Sequence, residues 1–276
     1  MSITQLSQNH INHFRSTIWR YYNQYGRSFP WRKTHNPYHI LVSEIMLQQT
    51  QTYRVIEKYQ QFITCLPTFE HLAQAPLQNV LELWQGLGYN RRARYLQQIA
   101  HTIVNKYNGV LPKKPAILIQ LPGLGHATAS SICAFTHHIP VIFIETNIRA
   151  VFIHHFFSKK ETVHDKKIMP LIEITLEKNR IREWYYALMD YGVMLKKKYP
   201  NLNKKSVHYK VQSKFEGSNR QIRGNILKLL LTIRSLNIHE IINTLEKEPD
   251  RIKTALLQLE NEGFIKKEND LYVINA

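Results

Sequence analysis

The chain has 276 residues, 43% hydrophobic and 21% charged, a globular mix with room for two or three domains. Lys and Arg number 37 against 20 Asp and Glu, a formal net charge of +17, which makes nucleic acid the leading partner over a merely basic soluble protein. No apolar run is long enough to span a bilayer, and MSITQLSQNHINHF lacks the basic flank and apolar core of a secretory signal, so a soluble, intracellular, cytoplasmic protein without a membrane partner is expected.

Up to about residue 195 the pattern is almost wholly helical. Ile11–Gln24 has helical apolar spacing, and Tyr38–Gln51 follows the Asn36-Pro37 start signal. Shorter helices are expected at Thr52–Cys65, Thr68–Ala75, Leu77–Trp84 and Arg91–Tyr107, separated by Leu66-Pro67, Ala75-Pro76 and the Gly86–Gly88 break. A helix ending at Gln120 and another beginning at Ala127 flank a Pro-Gly-x-Gly turn. The two cysteines, Cys65 and Cys133, read as buried reduced thiols, and no metal site is expected.

Residues 196–220, with Lys196–Lys198 and Lys204-Lys205, form a basic stretch that is either a solvated linker or an arm facing a polyanion. Beyond it, Ile222–Ile233, Asn237–Leu245 (with Glu240 three residues after a capping Asn237) and Pro249–Asn261 are expected helices. Gly263–Ile265 and Leu271–Ile274 read as strands around a polar turn at Lys267–Asp270. Three helices and a hairpin predict a small winged helix-turn-helix (α+β) domain over 221–276, following a domain over 1–195.

Four motifs carry chemistry. Leu121-Pro122-Gly123-Leu124-Gly125-His126-Ala127-Thr128 is a tight turn into a helix whose N-terminal N–H groups suit a phosphate, or else an ordinary Gly-rich connection. Glu145 follows the apolar run Val141–Ile144 and precedes a helix carrying Asn147 and Arg149. A carboxylate so placed stabilises the positive charge that builds on deoxyribose as a base departs, or simply caps the helix. Glu44 lies in an apolar helix ahead of Gln48, Gln49 and Gln51. Held protonated by burial it is a proton donor to a leaving base, with the glutamines filling the gap of a flipped base; the alternative is a structural or surface Glu. Gly86-Leu87-Gly88-Tyr89-Asn90-Arg91-Arg92-Ala93-Arg94 joins an aromatic wedge to phosphate-binding arginines, or is a solvated helix start with Tyr89 packed on its own domain.

In this order, and together with FPWR at Phe29–Arg32 and ALMDYG at Ala187–Gly192, these pieces resemble the helix-hairpin-helix–GPD superfamily of DNA glycosylases, the MutY-type adenine glycosylases above all, from about Phe29 to Gly192. The resemblance implies an all-α, two-lobed catalytic domain acting on double-stranded DNA with a lesion or mismatch. It sets Glu44 at the general acid, Glu145 at the catalytic Asp, and Gln49 and Tyr89 at wedging positions, and the motifs above add Gln48, Arg91, Leu121, Gly123, Gly125, His126, Ala127, Thr128 and Asn147 as expected DNA contacts. It further implies base excision by a monomeric, nucleoid-associated enzyme, with adenine the favoured base, thymine or uracil opposite guanine the rival, and a catalytically weak lesion-sensing protein the reading from another class. The chain departs from the family at several points. Glu145 is one methylene longer than Asp. Val193–Tyr209 has no cysteine where relatives bind a four-cysteine iron–sulfur cluster, so no cofactor is expected. The tail resembles a winged helix rather than the Nudix-like domain of MutY. Ala127 stands where bifunctional members carry a Schiff-base Lys, so monofunctional hydrolysis without strand cleavage is expected.

Overall fold

The computed structural model describes residues 6–275; residues 1–5, which begin both the expected first domain and the MSITQLSQNHINHF segment, and Ala276, which ends the expected last domain, lie outside the described residues. In chain order the helices are α1 (Gln8–Tyr25), α2 (Pro30–Lys33), α3 (Pro37–Met46), α4 (Thr52–Cys65), α5 (Phe69–Gln74), α6 (Leu77–Trp84), α7 (Arg91–Tyr107), α8 (Pro115–Leu118), α9 (His126–His137), α10 (Thr146–Phe156), α11 (Asp165–Thr175) and α12 (Ile181–Lys198). After them come α13 (Asn219–Ile233), β1 (Ser235–Leu236), α14 (Ile238–Leu245), α15 (Pro249–Asn261), β2 (Ile265–Glu268) and β3 (Leu271–Ile274).

Local chemistry sets many of the ends. Ser7 and Thr68 accept from the first-turn N–H groups of α1 and α5, and the Asn36 side chain accepts from Tyr38 N at 2.9 Å to open α3. Asn237 and Glu240 form a full capping box at the start of α14. Asn108 after α7 and His138 after α9 turn left-handed and stop those helices.

The chain divides into two compact units. One comprises Met1–Glu44 and Pro112–Val211. Its core is built by α1, α9, α10, α11 and α12, with Trp184, Tyr185, Phe135, Phe152 and Ile18 almost fully buried. The other comprises Ile45–Leu111 and Gln212–Ala276, so the C-terminal elements share a unit with the Gln-rich loop and α4–α7. There α7 packs on α5 and α6, α13 packs on α6 and α15, and Trp84 and Phe62 meet edge to face in the core. Each large apolar side chain buried in this way contributes roughly 2 kcal/mol.

Several expectations are corrected. The helix expected to run to Gln51 stops at Met46, because Gln49 takes φ 53 and the buried Arg92 guanidinium binds the carbonyls released at the helix end. The helix before the Pro-Gly turn is only Pro115–Leu118, with Ile119 and Gln120 already in a turn, and α9 begins at His126. The first strand of the expected terminal hairpin starts later, at Ile265, because Gly263 still turns at φ 67, and it runs on to Glu268 because the turn expected over Lys267–Asp270 is made by Asn269 and Asp270 alone, at φ 47 and 65. A short strand, β1, was not expected; the antiparallel sheet has the order β1-β3-β2, with Ser235 opposite Val273 and Lys266 opposite Val273 on the other side. Cys133 is buried, but Cys65, at the last turn of α4, is exposed.

Candidate active site

Glu145 ends an extended segment that Tyr185 fixes by donating to the Val141 carbonyl at 2.7 Å while its ring packs, tilted, against Phe143. From the N-cap of α10 its Oε1 accepts from Asn147 N and Ile148 N, both at 2.8 Å, and its Oε2 accepts from Asn147 Nδ2 at 3.1 Å. The capping and catalytic readings therefore fall on the same half-buried carboxyl. Burial pushes its pKa above the ordinary carboxylate value, against the pull of these N–H donors and of Lys196 and Arg149. Lys196 Nζ donates to Asn147 Oδ1 at 2.9 Å. A Cβ at Gly192 would collide with the Asn147 carbonyl, so α12 passes hard against the first turn of α10.

Glu44, in the same unit, lies near the end of α3 with Ser131 of α9 donating to its Oε2 at 2.5 Å. Burial raises its pKa to about 7, the negative charge of Glu145 adds to the rise, and Ser131 and Arg32 oppose it. When Glu44 is protonated it can donate to the Ser131 oxygen, releasing the Ser131 hydrogen to the Thr128 carbonyl at 3.0 Å. Burial pushes both carboxyls up, and they differ in what opposes it: a hydroxyl and a distant guanidinium at Glu44, three N–H donors at Glu145.

The structure explains two segments whose role sequence reasoning did not identify. Arg32 of FPWR makes paired bonds, both 2.8 Å, to Asp190 of ALMDYG, and Arg27 adds contacts at 2.7 and 2.8 Å. Despite burial, which alone would raise it, these donors hold the Asp190 carboxyl below the usual range. Arg32 also lies over the Tyr186 ring at 4.3 Å. Both residues line an open cavity of about 420 Å³ shared with Tyr22, Arg27, Arg182 and Glu183, and both are in electrostatic reach of Glu44.

In the Leu121–Thr128 turn, Gly123 takes φ 75, which favours glycine, and Gly125 is the N-cap of α9 with open space where a side chain would stand. His126 is exposed and Ala127 and Thr128 are half-buried, but the Leu121 side chain is core, so only its backbone is available to a ligand.

In the other unit, Gln48 is half-buried and Gln49 exposed, and both Gln49 and Tyr89 adopt left-handed backbones (φ 53 and 51), costly for residues with side chains. Arg92 joins the two loops. Its guanidinium donates to the carbonyls of Ile45, Met46, Gln48, Leu87 and Gly88 and to Thr50 Oγ1, at 2.6 to 3.3 Å. Burial lowers its pKa to about 10. The Tyr89 hydroxyl is bound by Gln212 and, at 2.5 Å, by Arg220. Arg91 pairs with Glu262 of the segment after α15, which also binds Arg223.

Residues 42–175 match the model of the HhH-GPD superfamily base excision DNA repair protein family. Over those residues, just under half of the chain, it is similar to the HhH-GPD superfamily. The chain is 36% identical over 187 residues to the adenine DNA glycosylase of Buchnera aphidicola subsp. Baizongia pistaciae, covering 66% of itself and 52% of that protein, so it spans about half that relative's length. It is 28% identical over 185 residues to the thymine/uracil-DNA glycosylase of Methanothermobacter thermautotrophicus, covering 66% of itself and 84% of that protein. A solved structure of a thermostable thymine-DNA glycosylase superposes with a TM-score of 0.60 at 25% identity, over 67% of this chain and 86% of that one. No helix among the described residues is long and apolar enough to cross a membrane.

The chain does not fit a four-cysteine cluster of the kind its resemblance to MutY suggests. It holds two cysteines, and the Cys133 thiol is pushed up to about 11 by burial and donates to the Lys113 carbonyl. The Val193–Tyr209 segment is held by other means. Val163 bridges Ser206 in parallel, Lys205 Nζ donates to the Ser158 carbonyl at 2.6 Å, and the buried Asn203 sits in a short 3-10 turn that packs on α10.

Proposed function

We propose that this protein is a DNA glycosylase of base excision repair that hydrolyses the N-glycosidic bond of a mismatched or modified base flipped from double-stranded DNA, with adenine the favoured base. The observation that carries the reading is the pairing of Glu44, raised to about 7, with Glu145, anchored by three N–H donors. Glu44 delivers its proton to the departing base, and the C1′–N bonding pair leaves with that base. The positive charge left on the sugar faces the Glu145 carboxylate, which then orients the water that adds to C1′ and takes up its proton. The cost of extruding the base, a few kcal/mol, is offset by Gln48, Gln49, Tyr89 and Arg91 at the vacated stack and by Leu121, Gly123, Gly125, His126, Ala127, Thr128 and Asn147 at the backbone.

Ala127 offers no amine, which supports a monofunctional reaction ending in an uncut abasic site. The thiol count supports a protein that works without an iron–sulfur cluster. We propose a catalytic domain over 1–195, a basic arm over 196–220 and a winged-helix-like domain over 221–276, the last supported by the α13-β1-α14-α15-β2-β3 order. The protein is proposed to act as a monomer, inside the cell, on nucleoid DNA.

Excision of thymine or uracil opposite guanine is the second reading, favoured by the 84% coverage of the thymine/uracil relative. A panel of duplexes, each with one lesion or mismatch and analysed before and after alkali, tests both. Alkali-dependent cleavage at adenine supports the first reading, and at thymine or uracil the second. Tight binding to abasic DNA without release of any base makes the protein a lesion sensor.

A further inference from the structure

We infer that Lys196 is a positioning residue for Glu145: its ammonium locks the Asn147 amide so that the amide nitrogen, and not the oxygen, faces the carboxylate. The inference rests on the proposed catalytic role of Glu145. An ammonium only donates, so the atom of Asn147 that faces Lys196 Nζ at 2.9 Å must be Oδ1. The two amide atoms diverge from one carbon, and fixing the oxygen on Lys196 leaves Nδ2 directed at Glu145 Oε2, 3.1 Å away. The main chain is held as firmly. Gly192 lies one helical turn before Lys196 on the same face of α12, where its missing side chain lets the helix abut the Asn147 carbonyl. Gly192 and Lys196 thus grip Asn147 at two points, by backbone and by side chain. Without the Lys196 ammonium, the amide is free to turn over and set its oxygen against the carboxylate, which repels it.

The charges that reach Glu145 come from three helices. Glu44 of α3 is the neighbouring carboxyl. Arg149 of α10 is paired through two bonds, 2.7 and 2.8 Å, with Asp165 of α11, itself 4.0 Å from His208. Lys196 of α12 is exposed and is the cation joined to Glu145 through a side-chain bridge. That exposure defines the competing role, a simple phosphate contact.

The test compares Lys196→Met and Lys196→Arg in the full chain. Single-turnover base release at saturating enzyme is followed across pH, DNA affinity is measured across salt, and the Glu145 carboxyl carbon is titrated by 13C NMR. We expect Lys196→Met to slow release about tenfold and to move the acid limb of the rate profile to higher pH, with Lys196→Arg restoring both. In an Asn147→Ala background Lys196→Met should add nothing further. A Lys196→Met protein with unchanged release rate and acid limb, but weaker DNA binding and a shallower salt dependence, would reduce Lys196 to a phosphate contact and overturn the inference. If the wild type releases no base from any duplex, the glycosylase reading fails by itself, and the carbon titration still decides. A higher Glu145 midpoint in Lys196→Met upholds the bridge, and an unmoved midpoint removes it.

Discussion

Replacing Glu44 with Gln should make the protein more stable and inactive at once. The Glu44 carboxyl rises from an ordinary 4.5 to about 7, chiefly because it is desolvated. Between those values the folded protein keeps a proton that the unfolded chain has released. Stability therefore falls as pH climbs through this window, and below it no difference remains. At ~1.4 kcal/mol for each tenfold change in acidity, the ionised carboxyl costs the native state about 3 kcal/mol at alkaline pH. The amide introduced by Glu44→Gln would keep the shape and an acceptor oxygen for Ser131 but could not ionise. Urea unfolding should show wild type and Glu44→Gln alike near pH 4 and the variant ahead by about 3 kcal/mol near pH 8, while single-turnover base release disappears. Equal unfolding midpoints at both pH values would mean that Glu44 ionises at no cost, and an acid of that kind has no proton to give at neutral pH.

Arg92→Ala strands five carbonyls and a hydroxyl and should cost about 3–5 kcal/mol in urea unfolding, with Arg92→Lys recovering only part, since a point charge cannot span them; a loss below ~1 kcal/mol would refute the stapling role. Glu145→Gln should abolish base release, and Glu145→Asp should retain it because a shorter acid still caps α10; the opposite ranking in single-turnover assays would remove Glu145 from the chemistry. Tyr89→Phe keeps the ring but loses the bonds to Gln212 and Arg220. Its effect on base extrusion, followed by 2-aminopurine fluorescence, should not add to that of Arg220→Ala, and simple additivity would show that the two residues act separately.

The parts of the molecule that could be read in the sequence depend on neighbours close along the chain. The capping box at Asn237 and Glu240, the glycine turn before α9 and the placement of Glu145 at a helix start all follow from residues within a few positions. The rest depends on partners far away in sequence. Nothing local to FPWR announces that Arg32 will meet Asp190, and nothing near Gln51 shows that Arg92 will end α3 five residues early. Helical periodicity alone carried that helix too far, because Gln48 and Gln49 are good helix formers overridden by a distant guanidinium. Cys65 is exposed although its neighbours are apolar, because it falls on the outer side of the last turn of α4. β1 escaped notice because two residues show no alternation and become a strand only when β3 lies beside them.

The route of the chain through its two units bears on how the protein is made. The unit that contains Glu44 and Glu145 is complete once Val211 has emerged from the ribosome, whereas the stretch Ile45–Leu111 must wait for α13, which packs on α6, before its surface is covered. At ~5–20 residues per second that wait is on the order of ten seconds, during which Arg91, which opens α7, lacks Glu262. Vectorial synthesis thus finishes the half with the carboxyl pair first and leaves a positively charged, half-built partner exposed to any polyanion in the cell until the last helix arrives.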